Sequence, residues 1–319
     1  MSGSRTAAGV AALAIVCGVA APSLAQTAPS QITLVVAFSA GGSTDAFARV
    51  VAPFLADRLG TRIVIENRGG GAGSIGARRV LQAAPDGVTI LVTTSTLAVN
   101  DISQKKGFSN DELRPLAIAA STPDVLTIHP SNPAKTLDEV VRNARTKSIT
   151  LGSGGIGSTP WIVAEYFFKL AKVTTVHVPF NGGGPAIAAA IGGYVDVFAG
   201  AVATAAGPIS QGQLRGVVVG SHSRSALAPE VPTFAEVGYP NFSPVNWVGF
   251  FVPAKTPDAL VAKLNAEINV VMKDPEVRRK LTTAGFDSII ASHDEAAAMF
   301  KRDIATWAKM SDAIGYKPD

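Results

Sequence analysis

Cysteine is nearly absent from this 319-residue chain: the single thiol, Cys17, lies among its first twenty residues. That region reads as a targeting segment. Arg5 supplies a short positive stretch, Ala7 to Ala21 is almost wholly apolar, and Ser23-Leu24-Ala25 offers a small-x-small cleavage site. The apolar run is short for crossing a bilayer. Val16 stands where a lipoprotein signal needs a small residue. Cleavage after Ala25 is therefore expected, giving an exported chain from residue 26 onward with no thiol. Such a chain has neither a disulfide framework nor thiolate chemistry, so an ordinary apolar core must hold it together.

Other absences narrow the function. The net charge is only +4, and its Arg and Lys are scattered, with no basic block interleaved with aromatics. That argues against nucleic acid as a partner. The four histidines, His129, His177, His222 and His293, show no metal-ligand spacing, and no H-E-x-x-H occurs, so no metal is expected. No G-x-S-x-G elbow is present. Asp124, Asp196 and the other carboxylates form no pair that spacing can place, so no catalytic residue is assigned. No apolar run after residue 25 reaches membrane-spanning length.

What is present is a regular alternation of strand and helix patterns. Ile32–Phe38, Ile63–Glu66, Thr89–Thr93, Asp124–His129, Ile149–Leu151, Val173–Pro179, Val195–Ala199, Leu214–Val219 and Val245–Val252 read as strands. Amphipathic or apolar helical stretches separate them. The alternation predicts an α/β protein with mainly parallel sheets flanked by helices. Its glycine loops fall into two groups about 110 residues apart, which suggests two similar lobes with a cleft between. The expected crossovers lie near Ala120–Asp124 and Pro240–Trp247. One lobe would then comprise residues 26–124 plus 247–319 and the other 125–246.

The glycine loops carry the candidate chemistry. The first strand ends in Phe38-Ser39-Ala40-Gly41-Gly42-Ser43-Thr44-Asp45 before a periodic helix. A tight glycine turn into a bare helix start presents unpaired N–H groups and a partial positive charge, which together make an anion site. Gly152 to Thr159 repeats the arrangement, with Ser153, Ser158 and Thr159 as hydroxyls and Gly155 and Gly157 in the turn. Thr94-Ser95-Thr96 is a third hydroxyl cluster, at the C-terminal end of a parallel strand; it either caps a helix or meets a ligand. Asp45 either ties down its loop or faces a ligand ammonium. Trp161 and Phe180 are core residues or pocket walls. Gly71–Gly76 and Gly152–Gly157 both spell G-x-G-x-x-G, but the acidic residue that would hold a ribose is missing after each, so no dinucleotide cofactor is expected.

Taken as a set, these residues resemble the Bug/TctC family, extracytoplasmic solute receptors of tripartite tricarboxylate transporters. The resemblance rests on the first loop, Phe38 to Asp45, on Val64-Ile65-Glu66-Asn67-Arg68 with the glycine run after it, and on Ala84-Pro85-Asp86-Gly87. It continues through His129-Pro130-Ser131, Gly152–Pro160, His177-Val178-Pro179-Phe180, Gly182–Ala186, Gly192–Asp196, Pro229–Thr233 and Pro253–Pro257. It spans nearly all of the chain after residue 25, and each motif is weak alone.

The resemblance implies a two-lobed periplasmic binding protein that closes over a small carboxylate and hands it to membrane subunits of a transporter, without cofactor or catalysis, as a monomer. By that resemblance the ligand contacts are Phe38, Ser39, Gly41, Gly42, Ser43, Thr44 and Asp45 on one side and Ser153, Gly155, Gly157, Ser158 and Thr159 on the other. Thr94, Ser95, Thr96, Trp161, Phe180 and Asp196 complete the candidate set. The chain departs from the family pattern where Ser39 and Ala40 replace prolines, where Trp161 replaces a common histidine, and where Ala199-Gly200-Ala201 replaces polar residues. These departures suggest an apolar or aromatic ligand body stacked on Trp161. The competing readings are a periplasmic enzyme that recruited the same cleft and a ligand sensor without transport.

Overall fold

The computed structural model describes residues 29–100, 107–240, 242 and 244–316. The segment expected to be a targeting signal, residues 1–25, lies outside the described residues. In chain order the elements are β1 (Gln31–Val36), α1 (Ser43–Leu59), β2 (Arg62–Asn67), α2 (Ser74–Leu81), β3 (Thr89–Thr94), α3 (Thr96–Asn100) and β4 (Leu113–Ile128). Then come α4 (Leu137–Ala144), β5 (Ile149–Ser153), α5 (Thr159–Leu170), β6 (Thr175–Pro179), α6 (Gly183–Ile191), β7 (Val197–Ala201), α7 (Val202–Ser210) and β8 (Arg215–Val219). The chain ends with β9 (Val245–Pro253), α8 (Asp258–Lys273), α9 (Pro275–Thr283), β10 (Asp287–Ser288) and α10 (His293–Ile314).

The strands form one continuous ladder in the order β2-β1-β3-β9-β4-β7-β5-β6, with β8 and β10 also pairing to β4. The outer three strands at each end are parallel, as the strand–helix alternation requires. Between them, β9 runs antiparallel to β3 and β4, and β4 runs antiparallel to β7 and β8. The sheet is therefore mixed, with parallel units joined through an antiparallel centre.

Strand β4 is the element that sequence patterning captures least. Only its last part, from Asp124, reads as a strand, yet it runs over 16 residues. Pro115 and Pro123 mask the rest, because proline cannot donate to a ladder and is confined to bulges and strand edges. The ladder accommodates this with register shifts between Pro115 and Ala117 and between Ile118 and Ala120. At Pro123 the strand is still opposite Val245 of β9; one residue later, Asp124 is opposite Ala201 of β7. A single strand thus belongs to both halves of the sheet.

Apolar side chains bury on both faces. Phe47 of α1 packs its ring against Phe250 and Phe286, at centroid separations of 5.6 and 5.8 Å. Phe167 of α5 sits among Phe168, Phe234 and Tyr239. Helix α10 lies along β4, α3 and α5. No helix among the described residues is long and apolar enough to cross a membrane.

Candidate functional site

The C-terminal ends of β1, β3, β5 and β7 converge, and the loops leaving them surround one narrow cavity of about 40 Å³. The loop from β1 to α1 contributes Phe38, Gly42, Ser43 and Thr44; the end of β3 contributes Thr94 and Thr96. Across from them stand Gly154, Ser158 and Pro160 of the loop into α5, Gly183 at the start of α6, and Ala199, Gly200, Ala201 and Thr204 at the turn from β7 to α7. Asn246, near the start of β9, completes the lining. None of these residues is charged.

Four helices begin at this cavity, and none has a side-chain cap: α1 after Gly42, α5 after Ser158, α6 after Gly182 and α7 after Ala201. Of the helices that start elsewhere, α4, α9 and α10 are capped by Thr136, Asp274 and Ser292, whereas α2 and α8 also lack a side-chain cap. First-turn N–H groups have no partner within a helix, so an uncapped start leaves donors and a positive dipole end free. The four do not contribute equally. In α5 the Thr159 N–H donates to the Thr96 hydroxyl (3.2 Å) and Pro160 has no N–H. In α7 the Ala203 N–H donates to the Thr122 hydroxyl (3.4 Å). Helix α1 keeps the N–H groups of its whole first turn, and α6 those of Gly183 and Gly184, its third position being Pro185.

The walls meet around the cavity. The Ser39 N–H and hydroxyl both donate to the Asn181 carbonyl, at 3.1 and 2.9 Å, bridging the loop before α1 to the loop before α6. A Cβ on Gly184 would lie 2.4 Å from the Ala40 carbonyl oxygen, so only glycine permits this approach. Gly41 takes a left-handed φ of 83°, which turns the chain into α1. Beneath the cavity, Ser95 donates to the Asn246 side-chain oxygen, and the Thr159 hydroxyl stands 3.4 Å from that of Ser95 and 3.3 Å from that of Thr96. These groups are buried and join the two halves of the sheet.

Seven of the sequence-derived candidates line the cavity: Phe38, Gly42, Ser43, Thr44, Thr94, Thr96 and Ser158. Ser39, Gly41, Ser95 and Thr159 belong to the loops and hydroxyl cluster that hold this lining, and Gly155 and Gly157 turn the loop into α5 with left-handed φ of 124° and 82°. Ser153 is fully buried and bonds the His177 imidazole at 2.8 Å; burial pushes that imidazole down to about 4, so it is neutral near pH 7.

Four candidates sit elsewhere. Asp45 turns back into its own loop, where its carboxylate accepts from the Gly41 N–H (3.0 Å), Arg49 Nε (2.9 Å) and Asn67 Nδ2 (3.0 Å). Burial raises its pKa, but these three donors outweigh it and hold the carboxyl below its usual range. Trp161 is one residue past Pro160, and the turn of α5 carries its ring away from the cavity onto His177 and Tyr316, at centroid distances of 5.4 and 4.9 Å. Phe180 is half-buried and packs against Gly152 at the edge of the apolar core. Asp196 precedes β7, at the strand end opposite the cavity, and bonds the Thr150 N–H and hydroxyl, both at 2.8 Å.

Sequence reasoning missed Pro160, Gly183, Thr204 and Asn246; Gly154 entered only as part of the Gly152–Gly157 loop, and Ala199–Ala201 only as a departure from the family pattern. Pro160, Gly183 and Thr204 follow from the rule that ligands meet open α/β sheets at the C-terminal ends of strands, applied to β5–β7 as well as to β1 and β3. Asn246 is brought in by the antiparallel β9, which the alternation of strand and helix does not announce.

The family of tripartite tricarboxylate transporter receptors, TctC, matches residues 47–316. The BugT protein of Bordetella pertussis strain Tohama I is 31% identical over 308 residues, covering 94% of each chain. Three solved structures superpose closely. The periplasmic binding protein BugD does so with a TM-score of 0.86 at 26% identity, over 90% of this chain and 98% of that one. Rpa4515 of R. palustris with adipate gives 0.86 at 26% identity, over 90% and 98%. MatC of Rhodopseudomonas palustris with bound malate gives 0.82 at 30% identity, over 90% and 99%. Sequence match and two-lobed fold agree: the chain belongs to the Bug/TctC family, the solute-binding receptors of tripartite tricarboxylate transporters.

Proposed function

We propose that the chain captures a small carboxylate in this cavity and delivers it, as a monomer, to the membrane subunits of a tripartite tricarboxylate transporter. The observation that carries the reading is the convergence of four uncapped helix starts on a cavity lined by hydroxyls and no charge. Amides and hydroxyls can take a carboxylate without a counter-ion, because helix starts favour negative charge by about 0.3–2 kcal/mol each. Hydrogen bonds to a charged group add roughly 1.5–3 kcal/mol apiece. Three or four such contacts, less the ordering costs of binding, reach roughly −8 kcal/mol, or about micromolar.

In this reading residues 26–124 with 247–319 and residues 125–246 are the two bodies that part to admit the ligand, and the segment before residue 26 is a signal peptide removed after Ala25. Periplasmic capture then needs no reaction. The carboxylate is held by the first turns of α1 and α6 with Thr94, Thr96 and Ser158, and its body rests on Phe38, Pro160 and the Ala199–Ala201 segment. Malate in MatC and adipate in Rpa4515 support a short aliphatic acid. An aromatic acid would have Phe38 as its only ring contact, since Trp161 is turned away.

Thermal denaturation of residues 26–319 against a panel of aliphatic, amino and aromatic carboxylates tests the reading, since binding to the native state raises the melting temperature by mass action. A concentration-dependent rise with short dicarboxylates is expected. No rise with any carboxylate overturns the assignment.

A further inference from the structure

Asp124 is buried to 3% exposure with no cation against it, and the one polar side chain that reaches its carboxyl is the amide of Asn246. It sits where β4 passes from β9 to β7. Its surroundings leave no room for a water molecule and are lined otherwise by Val125, Leu126, Pro160, Val163, Ala199 and Phe234, none of which titrates. Pro160 and Ala199 also line the ligand cavity, so Asp124 lies one wall behind it. The neighbouring Asn246 faces the cavity and is anchored by Ser95.

A lone carboxylate in such a place costs several kcal/mol, so the group holds its proton instead. Burial pushes the Asp124 carboxyl up to about 8, and Asn246 lowers it only in part. No charged group takes part in that shift. The elements packed against β4 explain why. Strands β7 and β9 and helix α7 carry no titratable side chain. On β8, Arg215 bonds the Ala134 carbonyl. On α5, Glu165 bonds Thr175. On α10, Asp303 accepts from the Trp247 indole and His293 bonds Pro115 and Arg114. On α8, Asp258 pairs with Arg114 and Glu267 with Arg58, and on β10 the exposed Asp287 stands opposite Ser121.

We propose that Asp124 is a proton-binding site coupled to the cleft: it holds a proton while the walls are in contact and releases it when they part. This rests on the reading that the two bodies separate to admit a ligand. The seal between Asp124 and the cavity is the Ser95, Asn246, Thr96 and Thr159 cluster, and that cluster joins residues from both bodies. Separation breaks it and lets water reach the carboxyl, whose pKa then falls towards its ordinary value, about 3.9. The sign follows. Between roughly pH 4 and 8 the closed form holds one proton more than the open form, so closing takes up a proton. Closure is favoured as pH falls, and its equilibrium constant drops by up to about tenfold per unit as pH rises through this window.

The test uses residues 26–319 with spin labels on Asp57→Cys and Tyr194→Cys, both exposed positions, and measures the label distance from pH 5 to 9 without added ligand and again with malate. A distance that lengthens with rising pH, and a profile that is flat in Asp124→Asn and in Asp124→Leu, supports the proposal. Glu165→Gln and Asp303→Asn are expected to keep the parent profile. A distance indifferent to pH but shortened by malate overturns the proton site and leaves the closing receptor standing. A distance that never changes overturns both. A pH response that survives in Asp124→Asn overturns the assignment to Asp124.

Discussion

At the scale of single residues, chemistry and position separate cleanly. Asp45 carries the charge that makes it look like a ligand contact, but its three donors come from its own loop (Gly41), its own helix (Arg49) and the end of β2 (Asn67). Its role is to hold Gly41 and the start of α1 in place, and the sequence left both roles open because spacing alone cannot orient a carboxylate. Asp45→Asn keeps the volume and removes the charge. It is expected to lower unfolding stability at neutral pH by about 1–3 kcal/mol, the range for a buried hydrogen bond to a charged group. Because the folded-state pKa is depressed, the carboxylate's contribution is complete above its unfolded value, near 3.9, and is lost as pH falls through the folded value. Denaturant unfolding of parent and variant should therefore differ at pH 7 and converge as the pH is taken down below the unfolded value, about 3.9. A gap that stays constant over that range would mean the aspartate acts through shape alone.

Elements were legible wherever strand and helix alternate, because each parallel strand needs a crossover helix and each crossover leaves a patterned apolar face. Both glycine loops were readable from Gly41-Gly42 and Gly152–Gly157 for the same reason: a turn with positive φ before a bare helix start has a residue signature. The β7–α7 turn was not, since Ala199-Gly200-Ala201 carries neither hydroxyl nor capping residue; its contribution is backbone, and backbone leaves no mark on composition. The loop before α6 was legible only as a helix opening. Its importance is the approach of Gly184 to the Ala40 carbonyl across the cavity. Gly184→Ala places a methyl in that contact without disturbing the body that contains α6, since the obstacle is backbone of the opposite wall. Unfolding stability should change little, while carboxylate affinity should fall tenfold or more, taking overpacking at about 1–3 kcal/mol and 1.4 kcal/mol per decade. Isothermal calorimetry with the acid that gives the largest thermal shift measures it. Unchanged affinity would show that ligand capture does not need these loops to touch.

Across the whole molecule, strand β4 and helix α10 are among the connections that join the halves of the sheet besides the cavity walls. The helix has 22 residues, roughly 33 Å by the α-helical rise. Near its start His293 bonds the Pro115 carbonyl and Arg114, both on the first part of β4, and Asp303 takes the Trp247 indole N–H. Just past its end Tyr316 meets the Trp161 ring edge-on at 4.9 Å, on α5 of the other half. Trp161 is therefore a fastening for the C-terminal helix, and its place one residue after a cavity-lining proline is what made it look like a ligand wall. The two readings differ in what truncation removes. If Trp161 fastens α10, Trp161→Ala deletes a large buried ring, which is worth about 3–5 kcal/mol in cores. The melting temperature should then fall by roughly 6 °C or more at the 2–4 °C per kcal/mol typical of large domains. Carboxylate affinity, measured by calorimetry below the lowered transition, should stay within about threefold of the parent, because the ring shares no wall with the cavity. Loss of affinity by tenfold or more with little change in melting temperature would return Trp161 to the ligand and remove α10 from the account of how the halves are held.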